Sequence, residues 1–164
     1  MIPSRSAVPA PERFTETHWR DAICGAAIEI AQRSLGFAGA TIADSRRDAI
    51  QSGMVGAHIP MVGKPSFELQ LVAMRGSCEA LATAVLGMDI SDLPASVVGD
   101  AVGEIVNMLA GGVKRRLGNN GGDLELGLPV FVNGAVEPTD RFSMLAFPLR
   151  FGAIETVAVI IGPR

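Results

Sequence analysis

Apolar positions recur at helical spacing from Thr17 to Leu35, where Trp19, Ile23, Ala26, Ala27, Ile30 and Ala31 share one stripe. Thr17 is a candidate N-cap and Gly36 a stop. Three short strand patterns follow, at Ala38–Ala43, Met54–Met61 and Ser66–Ala73, with Gly63-Lys64-Pro65 as the turn between the last two. A second helix is expected over Ser77–Leu86, ended by Gly87, and Ser91–Pro94 reads as a break. The longest periodic stretch runs from about Ala95 to Leu117 and stops at Gly118-Asn119-Asn120-Gly121-Gly122. Strand patterns return at Leu124–Val132, Arg141–Arg150 and Ile154–Ile161, with turn residues at Asn133-Gly134 and Gly152. The order of elements predicts an α+β fold of two related halves, a mostly antiparallel sheet packed with long helices. Residues 1–15, rich in proline, are expected to be a flexible tail, and residues 16–164 one domain.

Composition narrows the function. The 164 residues are 48% hydrophobic and 19% charged, which is enough apolar material for a core without metal or disulfide staples. The net charge of −3, a single tryptophan and no tyrosine speak against a nucleic-acid binder. Cys24 and Cys78 read as buried thiols of a reducing cytoplasm. His18 and His58 stand outside any metal-ligand spacing, so no metal of the chain's own is expected. The start lacks an apolar signal region, and the run Ala153–Ile161 is too short to span a membrane, so a cytoplasmic protein is expected.

The third helix carries the candidate chemistry. At about 100° per residue, Val98, Val102, Ile105, Leu109 and Val113 fall on one arc. Asp100, Gly103, Glu104, Asn107, Gly111 and Lys114 fall on the other. Two mid-helix glycines cost about 1 kcal/mol each relative to alanine. Glu104 and Asn107, at i and i+3, point outward together. The face reads as a cleared docking patch with two projecting polar groups, or as a plain exposed face. Lys114-Arg115-Arg116 suits the negative end of the helix dipole, and Lys114 also shares the face of Asn107. Glu29 and Gln32 share the i, i+3 spacing and are expected to be surface.

The run Asp100-Ala-Val-Gly-Glu104-Ile-Val-Asn107-Met-Leu-Ala-Gly111 resembles the D-x-x-x-E-x-x-N-x-x-x-G helix of the CheX/CheC/FliY chemotaxis phosphatases. Gly87, the Gly118–Gly122 stop, Leu128-Pro129 and Asn133-Gly134 suit that family, and the resemblance spans roughly residues 20–162. It implies a CheC-like fold and an enzyme that hydrolyses the aspartyl phosphate of a CheY-like response regulator. Asn107 would position the attacking water, and Glu104 would dock on the regulator's lysine. Asp100, Gly103, Gly111 and Lys114 would line the docking face. Mg2+ would belong to the regulator. Aligning Asp21 with Asp100 puts Gly25 and Ile28 where a second Glu and Asn would stand, so a single site of the CheX type is implied. CheX proteins pair through their sheets, which implies a homodimer. The alternatives are a non-catalytic CheC-like module that binds a regulator or a flagellar scaffold, and a ligand-sensing domain with an apolar pocket.

Overall fold

The computed structural model describes residues 14–118, 123–134 and 138–164. Three helices, α1 (Glu16–Ile30), α2 (Arg75–Leu86) and α3 (Ala95–Arg116), lie against one sheet. Its strands are β1 (Ala40–Ile42), β2 (Val55–Val62), β3 (Phe67–Ala73), β4 (Glu125–Leu126), β5 (Val130–Val132), β6 (Phe142–Phe151) and β7 (Ile154–Pro163). The order is β1-β6-β7-β3-β2-β4, with β5 also on β2, and every pairing is antiparallel. This agrees with the α+β expectation.

The sheet presents one face to the helices. Ala57, Ile59 and Met61 of β2, Leu69 and Leu71 of β3, Phe147, Leu149 and Phe151 of β6 and Ala158 and Ile160 of β7 all point there, as period-2 alternation requires. Val102, Ile105, Val106, Leu109 and Val113 of α3 close the core at zero exposure. Burying each contributes about 1.5–3 kcal/mol. The length and apolarity of α3 would suit a membrane span, but 61% of that stretch is buried within the fold. A smaller cluster on the opposite face joins Val72, Ala146, Val157, Val159 and Ile161 to Ala49 and Met54. The Arg47–Ala49 turn therefore presses Ala49 onto the sheet while Arg46 and Arg47 stay exposed.

Several boundaries differ from the sequence reading. The cap of α1 is Thr15, not Thr17: Thr15 Oγ1 accepts from the His18 backbone N–H at 3.2 Å, and His18 Nδ1 accepts from the Thr15 N–H at 3.3 Å. Phe14 packs edge-on against Trp19, with ring centres 5.2 Å apart. Phe14 and Thr15 thus belong to the fold rather than to a tail, and residues 1–13 of that expected tail lie outside the described residues. Asn119–Gly122 of the expected helix stop lie outside them as well, although Gly118 has the left-handed φ of +66° that ends a helix. The single strand expected over 124–132 is two strands. Pro60 on β2 has no N–H to donate there, and its ring occupies the space where any side chain at residue 127 would stand. Gly127 donates to the Pro60 carbonyl at 2.9 Å, and the chain leaves the ladder until Val130.

Helices α1 and α3 cross closely and run antiparallel. A Cβ at Gly112 would lie 2.7 Å from Ala26 Cβ and 3.4 Å from Ala26 Cα. Arg116 reaches back over Gly25, donates to the Gly112 carbonyl at 3.2 Å and pairs with Glu29 at 2.8 Å. Arg33 reaches the other carboxylate oxygen at 3.0 Å. Glu29 is therefore an interhelical hub and not the plain surface residue expected from spacing. The Arg116 hydrogen bond, with Arg33 and Arg115 nearby, holds its carboxyl below the ordinary glutamate range against the opposing pull of desolvation.

Two outcomes are expected. Gly112→Ala should destabilise by about 1–3 kcal/mol in urea unfolding, because the added methyl meets backbone-anchored atoms of α1. A stability unchanged from wild type would show that the crossing can relax. The lowered Glu29 carboxyl adds stability that is complete above the unfolded glutamate value and is lost as pH falls through the folded one. The melting difference between wild type and Glu29→Gln should therefore be present at neutral pH and shrink as pH falls below the ordinary glutamate range. An equal difference at neutral and acidic pH would show that the charge is irrelevant.

Candidate functional site

Packing on both sides leaves α3 one narrow outward stripe. Asp100 and Glu104 are exposed there, and Asn107, Gly111 and Lys114 are partly buried. Glu104 and Asn107 are one helical turn apart, about 5–6 Å between Cβ atoms. No hydrogen bond or ion pair among the described residues engages Asp100, Glu104, Asn107 or Lys114, whereas Arg115 and Arg116 beside them are both drawn to Glu29. The polar side chains of the stripe are thus uncommitted among the described residues.

The walls of the stripe come from distant parts of the chain. On one side the segment that left the ladder at Gly127 returns over α3. A Cβ at Gly99 would lie 3.3 Å from Phe131 Cγ, and one at Gly103 would lie 3.7 Å from Pro129 Cβ. Gly103 is buried beneath Pro129, which corrects the expectation that it opens part of the docking patch. Leu128, next to Pro129, is 83% exposed, the most exposed large apolar side chain among those described. On the other side, Ser34 Oγ donates to Met108 Sδ at 3.7 Å, closing the wall beside Asn107. Gly111 remains open: a Cβ there would meet only the mobile end of Arg115, at 3.8 Å. The sequence reading missed Ser34 and named Leu128-Pro129 without placing the pair over α3.

This arrangement holds a carboxylate and a neutral amide, with no nucleophile–base pair. Burial pushes the Cys78 thiol up to about 11, so it is protonated and inert. Cys24 is only partly buried, unlike the expectation for it. His58 Nδ1 lies 3.1 Å from Glu68 Oε1 on the far side of the sheet, close enough for an ion pair when the ring is protonated but not aligned as a hydrogen bond. Among the described residues no group of three or more His, Cys, Asp or Glu side chains could hold a metal ion. The Gly25 and Ile28 positions of α1 carry no counterpart of the Glu104 and Asn107 pair; Gly25 lies beneath Arg116. A water held by an amide that both donates and accepts is the chemistry the α3 stripe can offer.

Comparison with known proteins gives this geometry a context. The family model described as chemotaxis phosphatase CheX matches residues 55–142, more than half of the chain and including all of α3. The chain is similar in structure to chemotaxis protein CheX from Vibrio vulnificus, with 23% identity and a TM-score of 0.71 over 88% of this chain and 97% of that one. It is similar to the CheX of a CheX-CheY-BeF3-Mg+2 complex from Borrelia burgdorferi, with 15% identity and a TM-score of 0.67 over 89% and 97%. The FliM middle domain from H. pylori is more distant, with 10% identity and a TM-score of 0.51 over 90% and 86%. No match was found among curated proteins.

Neither helix glycine of the stripe is demanded by internal packing. Gly103→Ala and Gly111→Ala should each raise unfolding stability by about 0.5–1 kcal/mol. A loss at Gly103 would show that Pro129 tolerates no methyl beneath it.

Proposed function

The chain belongs to the CheX family of chemotaxis phosphatases, and from that premise we propose that its α3 stripe hydrolyses the aspartyl phosphate of a CheY-like response regulator. The observation that carries this reading is the uncommitted Glu104 and Asn107 pair on the outward face of α3, walled by Pro129 and by Met108 with Ser34. The mixed complex of a similar CheX with CheY, BeF3 and Mg+2 supports the choice of partner. In it the beryllofluoride stands for the phosphoryl group.

An aspartyl phosphate is an activated mixed anhydride. A water oxygen attacks phosphorus in line, the bond from phosphorus to the acyl oxygen breaks, and the products are inorganic phosphate and the free aspartate. Such a reaction needs positioning and charge balance more than covalent help. The Asn107 amide accepts a hydrogen bond from that water and donates to the phosphoryl oxygens, which fixes the angle of attack. A carboxylate in its place would repel the phosphoryl group. Glu104, one turn toward the helix start, pairs with the regulator's lysine and sets the docking register. Asp100, Gly111 and Lys114 complete the docking face, and Gly111 allows close backbone approach. Gly103 lies beneath Pro129 at the edge of that face. Mg2+ is held by the regulator, where it offsets phosphoryl charge. The proposed setting is the cytoplasm and the proposed assembly a homodimer joined through the sheets.

The FliM likeness favours one second reading, a non-catalytic module that binds a regulator or a flagellar scaffold. Turnover separates the two. At substoichiometric amounts the wild type should clear an excess of one phosphorylated CheY-like regulator. Asn107→Ala should lower kcat by about 100-fold or more with the fold intact. Glu104→Ala should weaken docking and rate together. Phosphate release at the spontaneous rate with every regulator tested, wild type included, would leave the binding module as the correct reading.

A further inference from the structure

The end of α3 beyond Asn107 carries charge, in Lys114 and Arg115, that no close ion pair among the described residues engages. Among the described residues, Glu29 is the one carboxylate in contact with Arg33, Arg115 and Arg116. It is engaged by Arg116 at 2.8 Å and by Arg33 at 3.0 Å, so Arg115 reaches an already occupied oxygen only at 3.8 Å. Lys114 beside it has no ion pair among the described residues. The side chains of Arg33 and Arg115 are 78% and 66% exposed. Together they rim a shallow groove of about 160 Å3 between α1 and α3 whose lining includes Met108, the neighbour of Asn107. The chain as a whole is acidic, so this corner is a local reversal of its field.

Charge is therefore ordered along the stripe. Asp100 and Glu104 are negative, Asn107 and Gly111 neutral, and Lys114 and Arg115 positive, with Arg33 alongside from α1. From Glu104 to Arg115 the helix rises about 16 Å. We propose that Arg33, Lys114 and Arg115 form a second docking point, one that recognises carboxylates of the phosphorylated regulator on the side of its phosphoaspartate away from its lysine. The inference rests on the phosphatase reading. Its chemical ground is that a phosphoaspartate working with Mg2+ sits among further carboxylates, because Mg2+ takes hard oxygen ligands. A partner that offers a cation to Glu104 and anions to Lys114 and Arg115 fits in one orientation only. The reversed orientation sets like charges against each other at both ends. The basic corner thus selects polarity and speeds encounter, while Asn107 performs the chemistry.

The test is the steady-state kinetics of the full chain with its phosphorylated regulator at low and high salt. Lys114→Glu/Arg115→Glu should lower kcat/KM about tenfold at low salt, nearly all of it in KM, and should flatten the salt dependence. Restoring it with a carboxylate-to-lysine change on the regulator would fix the contact. Arg33→Gln, which leaves the Glu29 to Arg116 pair in place, should give a smaller shift of the same kind. Wild-type kcat/KM that ignores salt, or a double variant with unaltered KM while Asn107→Ala is inactive, would overturn the docking point and leave the phosphatase reading standing. A wild type that neither binds nor dephosphorylates any regulator would overturn both.

Discussion

The close crossing of α1 over α3 is the constraint on which the rest depends. It exists because two side chains are nearly absent there: Gly112 has none, and Ala26 offers a single methyl. Helices that approach this closely leave no room for a shift in register, and the Glu29 carboxylate between Arg116 and Arg33 fastens the pair at the rim. With α1 fixed, the apolar arc of α3 faces the sheet, and its outward stripe is determined. Van der Waals packing sets the position; the ion pairs, exposed to solvent, add comparatively little energy but add orientation.

The character of the stripe follows from that placement. A helix presents side chains at fixed spacing on a rigid rod, so a carboxylate and an amide one turn apart keep their separation without loops or second-layer hydrogen bonds to hold them. Neither side chain is engaged by another among the described residues, which leaves both open to a partner. This suits a reaction in which the activated bond, the metal and the leaving carboxylate belong to the other protein. On the proposed reading, this chain would contribute only a direction.

Most of this was legible in the residues. Period-3.6 and period-2 patterns located the three helices and five of the seven strands, and the two arcs of α3 separated buried positions from most of the outward ones. What escaped were contacts between distant parts of the chain. Gly103 lies at the edge of the polar arc, and whether such a position is open depends on which strand returns beside it; Pro129 does, because Pro60 breaks the ladder two positions earlier in the returning segment. Glu29 looked like surface because its partner, Arg116, is 87 positions away. Thr15 was passed over because its reciprocal cap partner is a histidine, where glutamate or glutamine is the usual signal.

The same interruption at Pro60 has a bearing on solubility under crowding. One margin of the sheet is formed by β4, of two residues, and β5, of three; the other by β1, of three, beyond which residues 43–46 bond β6 at Pro148 and Ala146 and leave only its first few residues unpaired on that side. Open-ended strand addition requires a long, flat row of unpaired amides and carbonyls, and these short margins do not provide one. Nearly half of the chain is hydrophobic, yet its sheet makes a poor template for fibrils. Any association of two copies along those margins gains only a few backbone hydrogen bonds, so side chains must supply the remaining affinity, and the contact stays under the control of sequence rather than of backbone.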